Sequence, residues 1–361
     1  MIRRALALAA AAAMALTPPA ALAQQPPADL TAMPPVPATY APARTEWGDP
    51  DLRATYTLDR INSGRIPFER PDEAGNRFWL TDAEFAQRLE AARRSDAAYS
   101  EESSRGTKGL EAWMLAEPFA RRTSMLVSPA DGKLPALQPE AEKLRAAGRS
   151  SWITEGRTYD WIDDFDTWDR CITRGFPASM LPFRYNNGIR LFQAPGYVVV
   201  HFEMLGDRVI PLGRTEHRPA AVESWMGSSV GHWDGDTLVV ETTNIKTGDG
   251  TTRDVYRRAA SPLNVATGVR SNNAIPVSDQ ARVLERFTRT GPGALVYELM
   301  YSDPAVFTAP WTARITWTRD DAYQFFEYAC HEGNVSIRNH INASRADRRE
   351  PAALARPAAS P

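Results

Sequence analysis

The side chains able to move protons recur where predicted strands end. His201 and Glu203 lie two positions apart in Tyr197-Val198-Val199-Val200-His201-Phe202-Glu203. On one strand they share a face about 7 Å apart, close enough for both to reach one ligand. His217 follows the next predicted strand, and His331-Glu332 follows the last. Histidine and carboxylate together are the usual parts of general acid–base catalysis. Glu203, His217, His331 and Glu332 are therefore the candidate catalytic residues, and each alone is equally readable as a solvated surface group. Arg174, Tyr185, Asn186 and His201 are the candidate substrate-binding residues. Arginine and asparagine offer several donors suited to carboxylate, sulfate or sugar hydroxyls. Arginines here also have an ordinary use, as salt-bridge partners of Asp163, Asp164, Asp166 and Asp169.

Two tempting motifs fail on context. Gly227-Ser228-Ser229-Val230-Gly231 fits G-x-S-x-G, but a nucleophile elbow needs a strand before the serine and a helix after it. Here a Trp-Asp-Gly turn and a strand follow, so Ser229 is read as part of a tight turn. His331-Glu332 starts an H-E-x-x-H match, yet Val335 stands where the second histidine belongs. No phosphate loop, dinucleotide fingerprint or metal-ligand spacing is present, so neither cofactor nor metal is expected.

The elements that must position these residues are mainly β. Strands are predicted over 189–193, 196–204, 208–212, 237–245, 282–289, 294–301, 311–318 and 322–330. Their short Gly-, Pro- and Asp-rich links cannot make parallel crossovers, so the strands form an antiparallel meander. So many strands in sequence argue for a closed barrel or a sandwich, since a long open sheet would leave exposed edges; the reading taken is a lipocalin-like closed barrel. In 311–318, Trp311, Ala313, Ile315 and Trp317 share one face and polar residues the other. The segment 246–280 interrupts the meander as a long polar insertion. Ahead of the barrel, 46–150 reads as a helical and loop region packed on it. Thr81 and Glu84 form a capping box opening one helix, and Pro139 and Gly148 bracket another. Ten tryptophans are first core residues and second a stacking platform.

The ends of the chain give an address. Arg3 and Arg4, an apolar stretch over 5–16 and Ala21-Leu22-Ala23 have the form of a cleaved signal peptide, residues 1–23. That stretch is too short to span a bilayer permanently, so no membrane insertion is expected after cleavage. A periplasmic or secreted location follows. Residues 24–45 read as a Pro/Ala-rich linker, 151–344 as the barrel, and 345–361 as a disordered tail. In an oxidising compartment Cys171 and Cys330 can pair, stabilising the fold by about 4–5 kcal/mol in the chain-entropy model. The alternative is two buried thiols. Overall, 42 basic residues face 44 acidic ones, a balance that gives no reason to expect nucleic acid as a partner.

Several phrases carry a family resemblance. They include Arg170-Cys171-Ile172-Thr173-Arg174-Gly175, Tyr185-Asn186-Asn187, Gly231-His232-Trp233-Asp234-Gly235-Asp236 and Glu327-Tyr328-Ala329-Cys330-His331-Glu332-Gly333-Asn334. Over about 49–343 the chain resembles a family of exported bacterial proteins of unknown function. That resemblance implies export and carries over no catalytic residue. The Gly-x-Trp turn at 231–233 and the meander look lipocalin-like by fold analogy alone.

Three functions are compatible with these readings. The first is a cofactor-independent acid–base enzyme, a lyase, isomerase or hydrolase acting on a small carbohydrate-like or phenolic compound. The second is a carrier or sensor for such a ligand, with a deep aromatic pocket. The third is a structural envelope protein whose tryptophans fill the barrel.

Overall fold

Strands of alternating character bury one face and solvate the other, and closing them on themselves leaves a single apolar interior. The computed structural model describes residues 26–58, 66–91, 121–147, 150–151, 158–183, 186–247, 261–263 and 270–354. Among these residues are ten strands: β1 Ala54–Thr57, β2 Leu126–Ser128, β3 Gly188–Ala194, β4 Tyr197–Phe202, β5 Asp207–Pro211, β6 Ser228–Asp234, β7 Thr237–Thr243, β8 Arg282–Gly291, β9 Ala294–Ser302 and β10 Trp311–Arg319. Nine of them follow the order β5-β4-β3-β1-β10-β9-β8-β7-β6, each antiparallel to its neighbours, and β2 pairs with β10 off this path. An odd number of alternating strands leaves the two end strands running the same way. The barrel accordingly approaches closure through a parallel contact, Leu212 with Gly231, where Gly213 N–H donates to the Gly231 carbonyl at 3.0 Å. The protein is a mainly β, nearly closed barrel with an N-terminal helical region.

The interior is packed. Trp311, Ala313, Ile315 and Trp317 of β10 point inward, as do Leu295, Tyr297, Leu299 and Tyr301 of β9. Trp317 meets Tyr297 at 4.9 Å between ring centroids and Phe287 at 5.6 Å, and Tyr301 stacks on Trp311 at 5.2 Å. A buried ion pair lies among these rings. Arg208 Nη1 donates to Glu285 Oε1 at 2.8 Å, and Nη2 to the other carboxylate oxygen. Ser229 and Thr242 accept further bonds from the same guanidinium, which lies 4.4 Å from the Phe176 ring centre. Tyr297 donates to Glu285 at 2.7 Å, and burial pushes its phenol well above the ordinary range, so it stays a donor.

Helix α1 covers 82–91 and opens with the expected box: Thr81 N–H donates to Glu84 at 2.8 Å and Glu84 N–H to Thr81 Oγ1 at 3.3 Å. Helix α2 is Pro139–Ala147, with Gly148 outside the described residues. Cys171 and Cys330 form a disulfide across 159 positions. Residues 26–45 run extended against the body, where Ala32 O accepts from Trp79 and Pro34 O from Arg314.

Four expectations are corrected. Residues 322–330 form no strand; they cross the outside of β3 and β4 as an irregular strap, because Tyr323 and Phe325 pack on side chains there instead of pairing backbone. Residues 228–234, read as a turn, are strand β6, which puts Ser229 inside the barrel on Arg208. The expected disordered tail is partly helix, since α3 spans Ser336–Leu354 in an Ala- and Arg-rich stretch that favours helix. Of the 246–280 insertion, read as polar, Leu263, Ile275 and Val277 are buried in the core. The expected signal peptide, residues 1–23, lies outside the described residues.

Candidate functional site

Glu203 is the residue immediately after β4, one step past the inward-pointing Phe202. Parity turns its side chain outward, where the strap covers it and leaves it 4% exposed. A carboxylate so buried needs its lone pairs filled. Gly188 N–H donates to Oε2 at 3.0 Å, Tyr323 O–H to Oε2 at 2.7 Å, and Asn186 Nδ2 to Oε1 at 3.1 Å. Asn186 reaches this position from a left-handed backbone, φ 51°, a conformation asparagine tolerates better than most residues. Asn187 braces the same loop: its amide accepts from Phe183 N–H at 2.6 Å and donates to Phe183 O at 2.7 Å. No side chain fits at Gly188, where a Cβ would come 2.7 Å from Phe325 and 2.8 Å from Tyr323.

Beside Glu203 is a cavity of about 20 Å³, room for one water. Arg174, Ser179, Asn186 and Trp168 line it. The Arg174 guanidinium is buried, 4.4 Å from the Phe183 ring centre, and donates to Leu181 O at 3.3 Å. Of the sequence-derived site residues, Asn186 joins the other two: it donates to Glu203 and lines the adjoining cavity with Arg174. His201 lies next to it on the outer face of β4, bonded to Asp207 and stacked on Phe325 at 5.4 Å. The strap itself is held by Phe325 under Arg190, by Tyr328 on Trp168 and by the disulfide.

The other candidates lie elsewhere. His217 donates through Nδ1 to Ser228 O at 2.8 Å and meets Glu241 through Nε2 at 3.0 Å, on the outside of β6 and β7. His331 and Glu332 are exposed in the turn before α3. His331 lines a separate open groove together with Asn334. Tyr185 lies outside the described residues. Sequence reasoning missed Tyr323, Ser179 and Trp168. Tyr323 had a signal, since it alternates with Phe325 along a segment ending at a cysteine.

Among the described residues no cluster of histidine, cysteine and carboxylate side chains is arranged to hold a metal ion. No helix among them is long and apolar enough to cross a membrane. The chain matches no family model, no curated protein and no solved structure.

Proposed function

We propose that this chain is an exported protein that binds a small hydroxyl-bearing organic molecule, phenolic or carbohydrate-like, at the barrel mouth beneath the strap. One observation carries the reading: the buried Glu203 carboxylate takes a bond from the phenol of Tyr323, a group on an irregular segment and itself a stand-in for a ligand hydroxyl. A ligand hydroxyl replacing Tyr323 would face Glu203 as acceptor, with Asn186 and the Arg174 guanidinium alongside for further polar groups. The aromatic filling of the barrel leaves the lumen itself no role as a binding pocket. Export is supported by the signal-like N-terminus and by the disulfide. With a hydroxyl in place, Glu203 is also the group that would act as general base, so enzyme and carrier share this site. In this reading His217, His331 and Glu332 stand outside it.

The test uses 4-hydroxybenzoate and methyl glucoside as probes, titrated into the full chain by calorimetry. Tyr323→Phe removes the internal competitor and is expected to tighten binding several-fold. Glu203→Gln is expected to abolish it. If neither probe binds the parent or Tyr323→Phe, the structural-protein reading, favoured by the filled lumen, takes its place.

A further inference from the structure

A second concavity lies on the far side of the disulfide arm, between α3 and the turn at 160–162. It is an open groove of about 570 Å³, within the range of small-molecule sites. Its wall is apolar: Trp161 and Ile162 on the turn, Ile337 and Ile341 one helical turn apart on α3. Trp161 is 71% exposed, the most exposed large apolar side chain among the described residues, and Ile162 is 54% exposed. Such neighbours at a concave surface mark an interaction site more often than isolated exposed residues do.

The turn is built to present them. Asp164 accepts from the N–H groups of Asp160 at 2.6 Å and Trp161 at 2.7 Å. Helix α3 is seated by Ser344, which accepts from Tyr159 N–H at 2.9 Å, and by Arg345, which donates to Asp160 O at 2.7 Å. Both walls are therefore fixed before anything binds.

The charge is one-sided. The lining holds Arg170, Arg338, Arg345 and His331 against Asp160 alone, in a chain of net charge −2. Asp160 is engaged by Arg345 and Arg348, and Arg170 faces Asp163 at 3.4 Å. Arg338 has no ion-pair partner among the described residues. An isoleucine wall one residue from an uncommitted guanidinium matches a molecule with an apolar tail and an anionic head.

We propose that this groove binds a single-chain amphiphile with an anionic head, of the fatty-carboxylate class, its chain against Ile337, Ile341 and Trp161 and its head on Arg338. The proposal is independent of the Glu203 site.

Decanoate below its micellar concentration, titrated calorimetrically into the full chain, is the probe. Saturable one-to-one binding is expected, weakened about tenfold or more by Arg338→Gln and largely restored by Arg338→Lys. Arg349→Gln, on an exposed position of the same helix, is expected to leave it unchanged. Decanoate should also shield Trp161 from acrylamide, a protection absent in Trp161→Phe. Equal binding of decyltrimethylammonium or decyl maltoside would overturn the proposal, showing apolar adsorption only. Equal binding of inorganic phosphate would overturn it as well, showing a simple anion site. So would the absence of decanoate binding, or binding indifferent to Arg338→Gln.

Discussion

The ion pair inside the barrel makes a sharp prediction about stability. Replacing Arg208 by Met keeps much of the side-chain volume but removes two bonds to Glu285, the bonds to Ser229 and Thr242, and the guanidinium over Phe176. Glu285, 0% exposed, keeps only the Tyr297 phenol among the partners described here. Breaking a buried pair in this way costs about 3–5 kcal/mol, because one charge is left uncompensated. Adding Glu285→Leu removes that charge. Ser229 and Thr242 still bond each other at 2.9 Å, so the remaining cost is the unsatisfied Tyr297 hydroxyl, about 1–3 kcal/mol. The triple variant with Tyr297→Phe should lie within about 1 kcal/mol of the parent, since replacing all partners by apolar groups is nearly neutral. Urea unfolding followed by circular dichroism reads these differences directly. With a slope of about 3 kcal/mol/M, Arg208→Met should lower the midpoint by roughly 1–1.7 M. A single variant within about 1 kcal/mol of the parent, or a double variant less stable than the single, would refute the reasoning.

Two further perturbations test the strap and the N-terminal helix. Gly188→Ala drives a methyl group to within 2.8 Å of both Phe325 and Tyr323; hydrogen exchange over 320–330 should accelerate while β8–β10 stay protected, and unchanged strap exchange would contradict the packing described. Hydrogen bonds from Arg77 and then from Thr81 lower the Glu84 carboxyl from 4.5 to about 2. A depressed carboxyl contributes stability fully present above about pH 4.5 and lost as pH falls toward 2, so protection factors in α1, corrected for the pH dependence of intrinsic exchange, should fall across that window in the parent and stay flat in Glu84→Gln.

The barrel was legible where burial and alternation agree. In 311–318 every second residue is apolar, and the observed strand extends the expected one by a single residue. Strand β6 was illegible for a physical reason. Its inward residues include Ser229 and Gly231, small because Arg208 occupies the space beside the first, while a Cβ at the second would come 2.9 Å from Leu212 and 3.0 Å from Ile210. Small inward residues erase the alternation. The strap misled in the opposite sense, since Tyr323 and Phe325 space their rings as a strand would yet spend them on the outside of the barrel. At the site, Arg174, Asn186 and Glu203 were recognisable by type. Tyr323 was not, because a phenol in an aromatic-rich segment has no distinguishing pattern and its partner lies 120 positions away.

The position of β1 has a consequence for how the chain is made. It joins β3 to β10, pairing Tyr56 with Ile189 on one side and Arg319 on the other. The first strand of the barrel therefore waits for the last, and no earlier stretch of chain can supply that neighbour. A chain emerging from the ribosome holds an unclosed sheet until nearly all of it has been synthesised, and pairings this distant in sequence form slowly. Delay of that kind fits the export proposed above, in which the chain would pass a membrane unfolded. Until β10 emerges, the edge of β1 beside Tyr56 stays unpaired, which is where a holding chaperone would be expected to bind.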